Sequence, residues 1–387
     1  MRKAWLNIGT FLLCAPLAYN VSAQRDPLVL GVSLQHMWDS NYAHTPEKNS
    51  ERIALLTAFI DVDKTFSSQR VIARWNGRRY EHDRRTDLDA TLHNGQFALK
   101  SHWTNRFQSE IELTRDSYAI DQLEFRDKDI VKNDDATVKI GYGGGHKLTL
   151  SGGVRQVRQI HSNEQMQGLN FEDEEGFVEV AYRTGIKSTL AARVRSGERH
   201  YPNDHLRITP DDLERVAGDL DFDYEQVEVE GVWIASPKTS FSTTLAYFAR
   251  EGIINNSDGL LVSTEANWEM TPKVQLSGGY SFRQPALGET SDSPADIHLL
   301  YVDASWQWTA KISVGTGARI IEHRYEGLSP GPNRNESLYN ATPLKVTYAP
   351  TESISLRLTT GWTDRQSSLD YRNYTSAEAS VGAFFRY

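Results

Sequence analysis

One acidic segment holds the densest group of side chains that could do chemistry: His200, Asp204, His205, Asp211 and Asp212. Imidazole and carboxylate groups bind divalent metals and act as general bases, so this segment is the first place to look for a catalytic or metal centre. Its spacing matches neither a calcium-binding loop nor a zinc-binding helix motif. We therefore expect a solvated loop with a short helical turn at 210–216, and neither a metal nor another cofactor.

Arginines form a second group, because they recur on the polar side of segments in which apolar and polar residues alternate. The arginines concerned are Arg70, Arg74, Arg78, Arg155, Arg193, Arg195, Arg283, Arg319 and Arg357. Acidic residues share these polar faces, including Glu110, Glu112, Glu228, Glu230, Glu265, Asp303 and Glu378. Two roles stay open for the arginines. In the first role, the arginines contact the hydroxyl and carboxylate groups of a saccharide. In the second, they form ion pairs with acidic residues and stabilise the walls of the protein.

The elements that carry these arginines are predicted to be β-strands. In 274–283, Val274, Leu276, Tyr280 and Phe282 fall on one face and polar or small residues on the other. Such period-2 alternation runs through most of the chain after Pro27 and divides it into about eighteen segments. The alternation is broken within 88–103 and 173–184, so sixteen strands remain an alternative.

The lengths of the connections follow a regular pattern. Very short links after every second strand alternate with longer polar links, for example 66–68 and 236–238 against 118–134 and 201–218. Aromatic residues, including Trp103, Trp233 and Trp306, lie within a few residues of the short links. Outer-membrane barrels show the same sorting, with tight periplasmic turns, longer outer loops and aromatic girdles at the membrane interfaces. We therefore predict an all-β fold, a transmembrane antiparallel up-and-down β-barrel.

The two ends of the chain carry separate signals. Arg2, Lys3 and the apolar run that follows, ending in small residues at 21–23, predict a cleaved secretory signal over residues 1–23 and a barrel over 24–387. The only cysteine, Cys14, leaves with that signal, which excludes disulfides and cysteine nucleophiles in the mature chain. At the other end, Val381, Ala383, Phe385 and Tyr387 alternate and finish on a terminal aromatic residue, a pattern typical of recognition by the barrel-assembly machinery.

Composition narrows the class of protein further. Mean hydropathy is −0.53, too polar for a helical membrane protein. The formal net charge of −9 becomes −11 once Arg2 and Lys3 are removed, so nucleic acid is not an expected partner. A lumen wall in which half of each strand meets water explains why a membrane barrel has a low mean hydropathy. We expect a location in the bacterial outer membrane, in contact with its lipid and lipopolysaccharide.

Several stretches resemble the EpsL-type outer-membrane proteins of exopolysaccharide operons, a group within the putative β-barrel porins. The similar stretches are DPLVLGVSLQHMWDSN, VDKTFSSQRV and SPKTSFSTTLAYFAR. The resemblance implies a non-enzymatic barrel that assists export of an exopolysaccharide, alongside a periplasmic polysaccharide-export protein. It supplies no catalytic residues.

Our leading interpretation is therefore a conduit or accessory for exopolysaccharide secretion. The main alternative is a general or small-solute porin. Two further alternatives are a surface barrel hydrolase and an adhesion or structural barrel with a plugged lumen.

Overall fold

The computed structural model describes residues 27–122, 124–143, 147–185, 187–203, 220–289, 294–325 and 333–387. The predicted signal segment, 1–23, and four of the five residues of the acidic segment, Asp204, His205, Asp211 and Asp212, lie outside the described residues. Among the described residues, no helix is long and apolar enough to span a membrane.

The described residues contain eighteen β-strands. This number confirms the prediction of about eighteen strands. They are β1 (Leu28–Asp39), β2 (Glu51–Phe66), β3 (Gln69–His82), β4 (Ala90–His102), β5 (Phe107–Ala119), β6 (Ile130–Tyr142), β7 (Leu148–His161), β8 (Phe171–Arg183), β9 (Thr189–His200), β10 (Phe222–Ser236), β11 (Thr239–Gly252), β12 (Ser257–Thr271), β13 (Val274–Arg283), β14 (Asp296–Gln307), β15 (Ile312–Tyr325), β16 (Arg334–Tyr348), β17 (Ile354–Ser367) and β18 (Tyr374–Arg386). The two segments with broken alternation are β4 and β8.

The strands close into one antiparallel barrel. Each strand pairs with its neighbours in chain order, and β18 pairs with β1 to complete the ring, for example at Leu34 and Ala383. The first strand and the last residue of the chain meet at this seam, where Leu30 and Tyr387 exchange two backbone hydrogen bonds of 2.9 and 2.8 Å. Closure leaves no unpaired strand edge, as a hydrocarbon environment requires.

The outer surface of the barrel is apolar. Along β1, Leu30, Val32 and Leu34 are exposed, while Ser33 and Gln35 at the alternate positions are buried. The same alternation places Val381 and Phe385 of β18 on the outside, and the terminal Tyr387 is also exposed. A water-soluble protein would rarely expose so large a continuous apolar band, so this surface is the lipid-facing one.

The girdle residues lie at one end of this band. Trp103, Trp233, Trp306 and Trp308 are all strongly exposed, Trp103 to 72%. Each lies beside a short turn, and Trp233 stacks on Phe241 of the next strand with 5.4 Å between ring centroids. This end, where β1 begins and β18 finishes, is the end with the tight turns, so it corresponds to the periplasmic side of an outer-membrane barrel.

One strand contains a proline in the middle of the sheet. Pro343 has no N–H for the ladder, and the pairing of β16 with β17 shifts register between Ala341 and Leu344. The Thr360 hydroxyl lies 3.2 Å from the N–H of Leu344 and 3.3 Å from its carbonyl oxygen. A side chain thus replaces the missing ladder bonds, because lipid offers no water to satisfy them.

Candidate functional site

The arginines singled out in the sequence all lie on strand faces that point into the barrel. On β3, Arg70, Arg74 and Arg78 alternate with the outward Trp75, which is exposed. The same parity places the other six on the lumen wall, next to outward residues such as Val154, Val194 and Leu358. The lumen is therefore the candidate functional site, although these arginines have different partners.

The inner faces of β6–β10 form a continuous lattice of ion pairs, which we call the paired wall. Glu179 accepts hydrogen bonds from Lys139, at 2.6 Å, and from Arg193. Glu228 then lies 2.9 Å from both Arg193 and Arg195. These side chains are nearly all buried, although they line the lumen. The N–H groups of the lysine and arginines point at the carboxylates of the same wall rather than at the centre of the barrel.

The paired wall continues from there to Arg155. Arg195 lies 3.2 Å from Glu175, and Arg155 makes a 2.7 Å ion pair with Asp135. Charged groups this well buried need partners, and here each has one or two. Arg155, Arg193 and Arg195 therefore act as braces in this structure.

On β3 the arginines are also engaged, but in smaller groups. Arg70 binds both carboxylate oxygens of Asp63, at 2.7 and 2.6 Å, close to the periplasmic end. Higher up, Arg74 reaches Asp61 at 3.2 Å. Arg78 bonds no carboxylate among the described residues and donates instead to the backbone carbonyl of Ser117 at 3.2 Å.

The inner faces of β15–β18 around Arg319 and Arg357, below the ion pairs of the outer mouth, differ from the paired wall, and we call this region the open wall. Arg357 lies over the ring of Phe384, 4.5 Å from its centroid, and Arg319 lies one strand from Asp303. Neither arginine has a carboxylate within ion-pair distance among the described residues. Their guanidinium groups, like that of Arg78, are not neutralised by a carboxylate of the described wall. Arg283, on β13, is intermediate, 3.6 Å from Glu289.

An apolar patch lies beside the open wall, which the predicted polar lining did not include. Ile297 and Leu299 of β14 pack with Ile321 of β15, and Tyr301 and Leu338 border them. All of these residues occupy inward positions of their strands. Ile297, Leu299 and Ile321 are only 4–6% exposed, so the patch itself is covered. Only the bordering Tyr301 and Leu338 present partly exposed apolar surface near Arg319.

The β5–β6 connection, residues 120–129, crosses the outer mouth of the barrel, and we call it the mouth loop. From its tip, Glu124 lies 3.2 Å from Arg365 of β17 and 3.0 Å from Arg372 of the β17–β18 connection. Both arginines also bind Glu336, which Arg334 contacts at 3.0 Å. The loop leaves β5 and is tied to a strand six places away around the ring, so it narrows the mouth.

A second contact holds the mouth loop beside the β1–β2 connection. His44 Nδ1 lies 2.9 Å from Asp121, and its ring stacks on Tyr374 with 4.5 Å between centroids. Burial lowers the pKa of His44, but the charge of Asp121 and its hydrogen bond outweigh burial and leave the pKa above its usual value. At the base of the loop, the buried Asp129 accepts from His161 at 2.7 Å. Burial raises the pKa of Asp129, but the hydrogen bonds from His161 and Asn163 leave it below its usual value.

The β13–β14 connection folds onto the barrel in the same way. Ala286 packs into an apolar cluster with Phe171, Tyr201, Leu220 and Phe222. Asn255 donates 2.8 and 3.2 Å hydrogen bonds to the carbonyls of Leu220 and Leu287. Farther along, Glu289 lies between Arg199 and Arg283, at 3.8 and 3.6 Å. This connection therefore joins the top of the paired wall to β13.

Of the acidic segment, one residue lies among those that the structure describes. Its described member, His200, is bound to Asp221 and largely exposed. The described residues contain no group of three or more histidines and acids arranged to hold a metal ion.

Sequence reasoning missed the acids of β8 and the anchors of the mouth loop. The inward positions of β8 are the odd-numbered ones, which include Asp173, Glu175 and Glu179, and the even-numbered Glu174 and Val178 are exposed. A period of two extended in both directions from Phe177 would have placed the three acids inside. No comparable signal marks His44, Asp121 or Glu124, because these lie in loops without periodicity.

No protein-family model matches this chain, and no curated protein matches it at a significant level. Solved structures do match over nearly the whole length. Pseudomonas aeruginosa OpdQ is 9% identical, with a TM-score of 0.50 over 94% of this chain and 99% of that chain. The P. aeruginosa outer membrane protein OpdK is 10% identical, with a TM-score of 0.50 over 93% of this chain and 99% of that chain. At such identities the likeness shows the fold, that of an outer-membrane porin barrel with eighteen strands.

Proposed function

We propose that this protein is a non-enzymatic outer-membrane channel that admits small anionic solutes. The observation that carries this proposal is the open wall, where Arg319 and Arg357 face the lumen with no carboxylate of the described residues at ion-pair distance. An eighteen-strand barrel is too wide for side chains to fill, so an aqueous passage is expected inside it.

The restriction to small solutes follows from the outer mouth. The mouth loop, tied by Glu124 to Arg365, and the β13–β14 connection, tied by Glu289 to Arg199, both narrow the entrance. Solutes that are short and compact can pass beside such loops, whereas a polymer needs a wide continuous opening. This feature supports the small-solute interpretation over the exopolysaccharide one.

The solute chemistry is inferred from the open wall and its neighbours. Guanidinium groups bind carboxylates in a planar, bidentate way, and the partly exposed Tyr301 and Leu338 near Arg319 would contact an apolar or aromatic body. OpdK, a structural neighbour with a TM-score of 0.50 at 9% identity, has been crystallised with vanillate, an aromatic carboxylate. We therefore propose small carboxylates as the solute class.

Planar-bilayer recording tests this function directly. In a KCl gradient, the wild-type channel should show a reversal potential of anion-selective sign, and Arg319→Gln with Arg357→Gln should move it toward zero. Arg324→Gln is the matched control, because Arg324 is an outward-facing arginine of the same strand as Arg319. Cation selectivity in the wild type, or an equal shift in the control, would overturn the proposal.

Exopolysaccharide export remains the second candidate, supported by the resemblance to EpsL-type barrels. It would require the polymer and a periplasmic polysaccharide-export protein as partners. Deletion of the gene separates the two: lost uptake of a small carboxylate with unchanged polysaccharide supports the channel, and the reverse result supports export. Under either function, we propose that the barrel-assembly machinery recognises Val381, Ala383, Phe385 and Tyr387. Truncation of residues 381–387 tests this, and loss of membrane insertion is the expected result.

A further inference from the structure

A cavity of about 160 Å³ opens on the outer surface of the barrel, at the upper ends of β1, β2 and β3. It is lined by Trp38, Ser50, Glu51, Arg52, Asp83 and Arg84. We call it the rim pocket. Trp38 and Arg52 occupy outward positions of their strands and are directly opposite each other in the β1–β2 pairing. The pocket therefore faces the membrane and not the lumen.

The rim pocket lies at the upper edge of the apolar band. Leu34 of β1 and Leu56 of β2, each four residues closer to the membrane centre than Trp38 and Arg52, are paired with each other and half exposed. Leu30 and Ile60 continue this lipid-facing surface downward. A molecule seated in the pocket would thus have acyl-compatible surface directly below it. That position selects a lipid head group over a free solute.

The backbone around the rim pocket is fixed from below. The buried carboxylate of Glu51 accepts N–H hydrogen bonds from Arg52, Asp83 and Arg84, at 2.9, 3.0 and 3.0 Å. A fourth comes from Arg85 at 3.2 Å. Four amides on one carboxylate hold the β3–β4 connection against β2. Because the carboxylate of Glu51 bonds backbone N–H groups, it does not pair with the side chains of Arg52 and Arg84.

The donors and acceptors of the pocket have few partners within the protein. Arg52 makes no side-chain hydrogen bond among the described residues, and Arg84 makes one, to the carbonyl of Ser50 at 3.3 Å. Asp83 lines the same space and offers oxygen atoms that accept from hydroxyl groups. Trp38 adds an amphipathic ring at the interface level, where such rings are favoured. Two guanidinium groups, a hydroxyl acceptor and an indole therefore converge.

We propose that the rim pocket binds the phosphorylated sugar head group of an outer-leaflet glycolipid. The phosphate binds Arg52 and Arg84, the sugar hydroxyls bind Asp83, and the ring of Trp38 packs against the sugar. The acyl chains then lie along Leu34 and Leu56. This site rests on the outer-membrane location and is independent of what the lumen carries.

The opposite side of the rim shows that this chemistry is local. At the upper ends of β8–β11, the outward Glu174, Glu198, Asp223 and Glu251 lie directly across from one another in successive strand pairs. Four adjacent carboxylates repel a phosphate. Anionic head groups are therefore expected at the rim pocket and not at this sector.

Native mass spectrometry of the purified full-length protein tests the site, with lipid A, the same lipid stripped of its phosphates, and free glucosamine phosphate as probes. We expect lipid A to bind the wild type, and Arg52→Ala with Arg84→Ala to weaken that binding tenfold or more, since both phosphate contacts are charge-assisted. Trp38→Leu should weaken it less. Arg324→Ala, an exposed rim arginine outside the pocket, is the matched control.

Several outcomes would overturn the site. They are equal binding of the phosphate-free lipid, unchanged binding by the double variant, and an equal loss in the Arg324→Ala control. Binding of free glucosamine phosphate as tight as that of lipid A would also do so, because it would show that the membrane-facing position contributes nothing. Circular dichroism of each variant confirms that the barrel has formed before its binding is compared.

Discussion

The paired wall and the open wall are built from the same strand geometry and the same residue types, yet their arginines differ in whether they form ion pairs. On the paired wall, Arg193 and Arg195 share Glu228 and are almost completely buried. On the open wall, Arg319 and Arg357 have no carboxylate at ion-pair distance within the part of the chain that the structure describes. An arginine that is paired inside the wall contributes to the shape of the lumen, and one that is unpaired contributes to its selectivity.

The position of the acids explains the difference. On β8 and β10, Glu179 and Glu228 stand directly across from Arg193 of β9. Arg195 reaches Glu175 and Glu228 from the next inward position of the same strand. Across from Arg357 the partner position on β18 is Gly382, and across from Arg319 it is Asn340 on β16 and Tyr301 on β14. Cross-strand neighbours thus decide which arginines are neutralised.

The strongest test of this comparison removes one acid from the paired wall. Glu228→Gln removes the carboxylate that Arg193 and Arg195 share, and each arginine keeps one other acid, Glu179 or Glu175. We therefore expect a loss of about 1.5–3 kcal/mol of unfolding free energy. Arg319→Gln on the open wall should change stability by less than about 0.5 kcal/mol. Urea unfolding in detergent micelles measures both. Similar losses in the two variants would mean that the walls do not differ in this way.

A second test releases the mouth loop from the open-wall side. Glu124→Gln removes a carboxylate from Arg365 and Arg372, and hydrogen bonds to charged groups contribute about 1.5–3 kcal/mol each. Because both arginines keep Glu336, we expect a modest stability loss and a larger single-channel conductance. Asp134→Asn, which alters an exposed pair with Arg115 between β5 and β6, is the control. Unchanged conductance in Glu124→Gln would show that the loop does not limit flow.

The smallest expected effect is a pH dependence of the same loop. The pKa of His44 is raised in the folded protein, so the stability from its pair with Asp121 is fully present below the pKa of an unfolded histidine. That stability is lost as pH rises through the raised value. Asp39, Glu378 and Tyr374 also face His44, and none of them can replace its positive charge.

Conductance of the wild type should therefore rise as the solution is made alkaline through that range. His44→Gln should remove the step, while His200→Gln, at an exposed histidine outside this contact, should keep it. A step of equal size in His44→Gln would assign the titration to another group.

Much of the barrel follows from sequence alone, because its signals are local. Alternation along 274–283 fixes which face meets lipid, and the parity of short and long links fixes which end is periplasmic. The inward orientation of Arg193 or Arg319 follows from the same period of two. Even β8, where the alternation is broken, is a strand because its neighbours on both sides require a partner.

Other features depend on residues that are far apart in sequence. The sequence determined the strands, their faces and the inward arginines, since each of these depends on residues within a few positions of one another. Only the tertiary structure decided that Glu124 reaches Arg365, 241 residues away, that β18 closes on β1, and that Trp38, Arg52 and Arg84 share a pocket. The physical reason is that closure of the ring sets which side chains meet across strands and loops, and no local pattern records those distances.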